Sequence, residues 1–239
     1  MALDAALLDL ADGEGSAFLR LYRWDPFCLS FGRHEPARRR YDRAAIEAQG
    51  LDCVRRPTGG RAVWHARELT YALAAPLTAF GGLRAAYGSI HSLLAAALQQ
   101  LGVAARLAPR ATPTPGLAAG ACFAAPVGGE ILVAGRKVVG SAQLRQGEAF
   151  LQHGSMLIED DQSIVNGLSL VRGPPGGETP LATLLGRTVP FDEVASAIAG
   201  TAEGLLGPLH RVSAPPPGLA AAARRHTEHF RSPDWTWVR

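Results

Sequence analysis

Lys137 is the only lysine in a chain with 23 arginines, and it stands in the Gly-rich run GRKVVGSAQLRQ, fifteen residues after Cys122. An ammonium is a compact, movable charge, whereas a guanidinium is a planar fork that keeps its proton. Beside a thiol, an ammonium favours the nucleophilic thiolate. Beside a carbonyl, it stabilises an oxyanion. A lysine on a hairpin is otherwise an ordinary exposed charge. Here, arginine fills every other Lys/Arg position, and that singles Lys137 out.

Three further groups of residues surround that pair. In Arg55-Arg56-Pro57-Thr58-Gly59-Gly60-Arg61-Ala62-Val63-Trp64-His65, paired glycines sit between two strand-like runs. Such a turn lets backbone approach a ligand, and flanking arginines suit phosphate or carboxylate; taken alone it is also an ordinary hairpin. No Gly-Lys-Ser/Thr follows it, and no strand–GxGxxG–helix unit is present, so neither nucleotide loop is indicated. Gly140-Ser141-Ala142 follows the lysine, and His153-Gly154-Ser155 lies downstream. Ring nitrogens and backbone amides there can orient a substrate, although a lone histidine is commonly structural. Cys122 follows the aperiodic PRATPTPGLAAG run and is expected to be accessible. Cys28 and Cys53 lie in strand-like apolar stretches and are expected to be buried and inert.

The elements that must position these groups follow from pattern. Residues 3–11 read as an amphipathic helix, too acidic for a signal peptide. Phe18–Tyr22, Cys28–Phe31, Cys53–Arg56, Ala62–His65 and Leu69–Ala74 read as strands. Arg84–Leu101 carries Ile90, Leu93, Leu94, Ala97, Leu98 and Leu101 on one helical face. Pro109–Gly120 reads as a mobile loop. Two hairpins follow, Glu130–Val133 to Lys137–Val139 across Ala134-Gly135, and Ser141–Arg145 to Phe150–His153 across Gln146-Gly147. The last third is helical, with Phe191–Leu206 the clearest segment. Short strands and helices joined by tight turns predict an α+β fold with a mostly antiparallel sheet.

Composition narrows the classes. At 239 residues, 47% hydrophobic and 19% charged, the chain has the make-up of a soluble globular protein with a real core. A net charge of +3 carried by scattered arginines points to neither nucleic acid nor membrane, and the Arg38-Arg39-Arg40/Arg43 cluster reads as a solvated helix face or a contact for an acidic partner. Three unpaired cysteines imply neither a disulfide framework nor a zinc site. A cytoplasmic location is expected.

Taken together, RRPTGGRAVWH followed by ELTY, then GRKVVGSAQLR and LQHGSMLI, resemble the biotin/lipoate protein ligase superfamily, in order from MALDAALL to SPDW. The resemblance implies one catalytic domain over 1–239, with a mobile loop near 109–120 and a helical tail near 190–239. It also implies a central, mostly antiparallel sheet flanked by helices, related to class II aminoacyl-tRNA synthetase cores. The family's lysine falls on Lys137, its Arg-Gly loop on Arg56 through Trp64, and its His-Gly strand on His153-Gly154. The implied substrate-binding positions are Arg56, Gly59, Gly60, Arg61, Ala62, Val63, Trp64 and His65, then Gly140, Ser141, Ala142, His153, Gly154 and Ser155. The superfamily places a strand ahead of the MALD-like helix, where this sequence starts at the helix. No helix-turn-helix precedes the core, which argues against a biotin repressor.

The stretch ACFAAPVGGEILVAGRK resembles the ligase-like octanoyltransferases of this superfamily. That implies Cys122 as nucleophile and Lys137 as its activator, with octanoate taken from acyl carrier protein. The acceptor would be the lysine of a lipoyl domain, in 2-oxoacid dehydrogenases or glycine cleavage H protein, with no cofactor and no metal. An ATP-dependent lipoate–protein ligase using ATP and Mg is the alternative, as is an amidotransferase between carrier domains. A degenerate, non-catalytic binding module is a reading of a different class.

Overall fold

The computed structural model describes residues 1–109, 129–159, 162–171, 178–212, 215–216 and 218–238. Cys122 and most of the expected 109–120 loop lie outside the described residues. In chain order the elements are α1 (Ala2–Glu14), β1 (Phe18–Tyr22), β2 (Cys28–Phe31), α2 (Ala37–Arg40), α3 (Arg43–Ala48), β3 (Asp52–Arg55), β4 (Val63–His65) and β5 (Glu68–Pro76). There follow α4 (Leu83–Gln100), β6 (Arg106–Leu107), β7 (Ile131–Val133), β8 (Arg136–Lys137), β9 (Val139–Gln146) and β10 (Ala149–Leu157). The chain closes with α5 (Ser163–Gly167), α6 (Leu181–Leu185), α7 (Phe191–Leu206), α8 (Leu219–Arg231) and α9 (Pro233–Thr236).

The main sheet has the order β1-β5-β10-β9 and is antiparallel throughout. Side chains alternate across a strand, so each face collects every second residue. On β5, Leu69, Tyr71, Leu73 and Ala75 join Ile90, Leu93, Leu94 and Leu98 of α4 in the largest core cluster, with Val194, Ile198 and Ala202 of α7 in the same cluster. Ala72 and Ala74 join the opposite cluster, with Ala6, Leu7, Leu8 and Ala11 of α1 and Leu219 and Ala222 of α8. Alanines at those two positions leave room for a helix to approach the sheet closely.

Two small sheets complete the scaffold. In β3-β2-β4, β2 pairs parallel with β3 and antiparallel with β4. In β6-β7-β8, Ala134 (φ 49) and Gly135 (φ 79) make the two-residue turn with both central φ angles positive. That turn carries Lys137 opposite Leu132 and delivers the chain directly into β9.

Candidate active site

A narrow cavity with mostly apolar walls opens between the main sheet and β4. Thr70 of β5, Gly140, Ser141 and Ala142 of β9, and His153, Gly154 and Ser155 of β10 form one side. Val63 and His65 of β4, together with Arg56 and Trp24, form the other. Registry explains the meeting: β10 sets His153 against Ala142 and Ala72, and Ser155 against Gly140 and Thr70. The β9-β10 hairpin and the distant strand β5 therefore present small or polar groups to one space.

The Arg-Gly loop is held rigidly. Arg56 donates to the Ser30 carbonyl at 2.9 Å, to the Ser30 hydroxyl at 2.5 Å and to the Arg61 carbonyl at 2.7 Å. Gly60 adopts φ +87, and its carbonyl packs so tightly on Gly32 that a Cβ there would overlap it. Only glycine fits at Gly32, and Gly60 needs its left-handed backbone. Arg55, read from sequence as an anion holder, is fully buried and donates to the carbonyls of Gly32, Glu35, Trp235 and Thr236. It fastens the C-terminal tail beneath the loop, a use that residue type alone does not reveal.

Most buried polar groups around the cavity are hydrogen-bonded, as their desolvation requires. Glu68 accepts from Thr70 at 2.6 Å and from Ser155 at 2.5 Å, and lies 3.3 Å from His65 Nδ1. His65 Nε2 meets the Ser30 hydroxyl at 2.6 Å. Trp24 stacks on His65 with ring centroids 4.5 Å apart and donates to Thr70. His153 Nε2 lies 2.5 Å from the Thr58 hydroxyl, and its Nδ1 is 3.7 Å from Asp4. Burial lowers the pKa of both His65 and His153, which favours neutral rings. Burial raises the Asp4 carboxyl, but His153, the Met1 amine and Arg20 outweigh it and hold the group below its ordinary range.

Lys137 is buried at 3% exposure, and its ammonium lies 2.5 Å from the equally buried Glu130 carboxylate. Behind it runs a chain of hydrogen bonds on the α4 side of the sheet. His91 bridges the Gly129 carbonyl (2.6 Å) and the Ser141 hydroxyl (2.8 Å). Ser141 lies 2.6 Å from Tyr71 Oη, which accepts from Gln152. Gly154 makes room for this chain, since a Cβ there would stand 2.5 Å from the Gly140 carbonyl and 2.7 Å from Ser141 Oγ and Tyr71 Cε1.

Of the substrate-binding positions expected from sequence, Arg56, Val63, His65, Gly140, Ser141, Ala142, His153, Gly154 and Ser155 line the cavity. Gly59, Gly60 and Arg61 shape the loop, while Ala62 and Trp64 pack with Phe31 and Tyr41 in a second core cluster. Lys137 pairs with Glu130 and neither is among the cavity-lining residues, and Cys122 lies outside the described residues. Cys28 is buried and Cys53 half-buried, and burial raises both thiols, Cys53 to about 12. Sequence reasoning did not assign Trp24, Glu68, Thr70, His91 or Glu130 to the site, although Glu68 and Thr70 lie in the ELTY run and Glu130 precedes the lysine in the run that carries the resemblance. His91 and Glu130 carried a faint signal, a histidine inside the apolar stripe of α4 and a carboxylate just before the lysine hairpin. Among the described residues no group of three or more His, Cys, Asp or Glu side chains is placed to hold a metal ion, and no helix is long and apolar enough to cross a membrane.

The helix-covered antiparallel sheet, with its Arg-Gly loop and lysine hairpin, has the fold of solved lipoate protein ligases. Lipoate-protein ligase A bound with ATP superposes with a TM-score of 0.83 over 99% of this chain and 92% of that one, at 21% identity. The T. acidophilum protein Ta0514, a putative lipoate protein ligase, gives 0.79 over 100% and 92%, at 20% identity. At such identities the likeness is one of fold. The sequence goes further: the lipoyl protein ligase A/B catalytic domain profile matches residues 1–203, and the chain belongs to that family. Octanoyltransferase LipM of Moorella thermoacetica is 42% identical over 66% of this chain and 60% of its own length. LipM of Geobacillus kaustophilus is 33% identical over 100% of this chain and 93% of its own length. The match thus spans about 60% of the Moorella relative and nearly all of the Geobacillus one.

Proposed function

We propose that this protein is an octanoyltransferase that moves octanoate from acyl carrier protein to the lysine of lipoyl domains. The observation that carries the reading is the buried Lys137–Glu130 pair on the hairpin that feeds the cavity strand β9, in a chain whose relatives are octanoyltransferases. The largely apolar walls of the cavity are of the kind an acyl chain needs.

Cys122 is the nucleophile in this scheme. Its thiolate attacks the octanoyl thioester, the bond from carbonyl carbon to carrier sulfur breaks, and the carrier thiolate takes a proton. The Cys122 thioester is then attacked by the lipoyl-domain amine, forming the amide and releasing the Cys122 thiol. Thioester exchange is nearly isoenergetic, and the final amide is more stable, so neither nucleotide nor metal is needed. Lys137 supplies the positive charge that favours the thiolate and the oxyanion.

Mixing the protein with octanoyl-acyl carrier protein is expected to add one octanoyl mass to the intact chain, and then to label a lipoyl domain. Full-rate transfer by Cys122→Ala would sink the proposal. A parallel arm with ATP, Mg and lipoate separates the ligase reading, which requires adenylate formation that survives loss of Cys122.

A further inference from the structure

His91 lies fully buried in the middle of α4, and the proposed chemistry assigns it no role. A carbonyl can only accept, so the 2.6 Å contact with Gly129 places the ring proton on Nδ1. Burial and the nearby Lys137 charge keep the ring neutral, with its pKa pushed down to about 4. Nε2 therefore accepts from Ser141, Ser141 accepts from Tyr71, and Tyr71 accepts from Gln152. Each proton along this chain has one place.

The two ends of the His91 link matter. Gly129 directly precedes Glu130, the counter-ion of Lys137, and that segment is also tied by backbone bonds to Ala108. Ser141 belongs to the cavity wall. The ring thus braces the carboxylate that holds the ammonium against the strand that walls the cavity. Tyr87 packs on His91 at 4.1 Å between centroids and lies beside Gly129, whose φ is +85.

We propose that His91 is a positioning residue for acyl transfer: through Gly129 and Ser141 it fixes where Glu130 holds the Lys137 ammonium relative to the cavity wall. Its effect on rate rests on the octanoyltransferase reading; its effect on Lys137 does not.

Because Lys137 is the sole lysine, protein grown with lysine labelled with 13C at Cε alone gives one labelled signal, a direct report on the ammonium. Three variants divide the link. His91→Asn keeps an amide donor near the Nδ1 position, His91→Gln reaches toward Ser141, and His91→Phe removes both contacts at similar volume. The Lys137 signal is expected to move in His91→Phe and to return part of the way in His91→Asn. With octanoyl-acyl carrier protein as donor, His91→Phe is expected to lower kcat about tenfold with little change in KM, because misplaced catalytic groups lose rate rather than binding. A folded His91→Phe protein with an unmoved lysine signal, or with wild-type kcat, overturns the proposal. If His91→Phe does not fold, unmoved lysine signals in both His91→Asn and His91→Gln overturn it equally. If the wild type transfers no octanoate, the transferase reading fails, while the lysine signal still decides the role of His91.

Discussion

The Lys137 ammonium and the Glu130 carboxylate lie 2.5 Å apart, and both are almost fully removed from solvent. Each ion would be expensive to bury alone, so the pair stands or falls together. Removing one partner leaves an uncompensated charge. Glu130→Gln is expected to destabilise the fold by about 3 kcal/mol. Lys137→Met in the same background is expected to recover part of that loss, so that the double variant is more stable than the sum of the singles. Urea denaturation of the four proteins measures the coupling.

Acid should weaken the fold through its buried histidines. The His91 pKa falls from 6.5 to about 4 on folding. Between those values the unfolded chain binds the extra proton, so acidification favours unfolding. The contribution of His91 is complete above pH 6.5 and is lost as pH falls toward 4, a change of about 3 kcal/mol by linkage. His65 and His153 are shifted the same way by burial and add to it. Asp4 acts later, since its depressed carboxyl loses stabilisation only below the ordinary carboxylate range. Denaturation curves at pH 7, 5.5 and 4.5 test this, and His91→Phe should flatten the pH dependence.

Gly154 and Gly59 should respond oppositely to a methyl group. A Cβ at Gly154 meets the Gly140 carbonyl at 2.5 Å, a backbone atom that cannot step aside, whereas Gly59 has nothing within 4 Å and no positive φ. Gly154→Ala is expected to cost about 3 kcal/mol through overpacking, and Gly59→Ala to stay within about 0.5 kcal/mol. Thermal melts of the two variants decide between them. Equal melting temperatures would show that Gly154 has slack that the distances deny.

Local pattern carried much of the fold, and tertiary pairing hid much of the site. The α4 stripe through Ile90, Leu94 and Leu98 and the turn at Ala134-Gly135 are legible because helix period and turn chemistry act over a few residues, while the second hairpin turns at Gly147-Glu148, one residue later than expected. His65, His153 and Ser155 were visible as part of motifs. Thr70 lay in the ELTY run but was not assigned to the site, and Trp24 lay in no motif, because Thr70 meets Ser155 only when β5 pairs with β10 and Trp24 folds over His65. Arg55 and Arg56 are adjacent and alike in sequence, yet one holds the tail and the other lines the cavity. Their guanidiniums reach different carbonyls, Gly32, Glu35 and Trp235 for Arg55 and Ser30 and Arg61 for Arg56, and residue type cannot say which.

That division makes Arg55 a test of how the tail supports the cavity. Its guanidinium reaches Gly32 at 2.7 Å and Glu35 at 2.9 Å on one side, and Trp235 at 3.0 Å on the other, while Trp235 Nε1 returns to the Arg55 carbonyl at 3.0 Å. A lysine has one donor centre and cannot span both groups. Arg55→Lys is therefore expected to loosen the tail, and trypsin should release the peptide after Arg231 faster than in the wild type. Gly32 packs on the Gly60 carbonyl, and Gly60 belongs to the loop that Arg56 holds against the cavity. Loss of the Arg55 brace should thus raise KM for the octanoyl donor, while the Lys137–Glu130 pair on the far hairpin keeps its geometry. An Arg55→Lys protein with a released tail and unchanged KM would show that the tail and the cavity wall are mechanically independent.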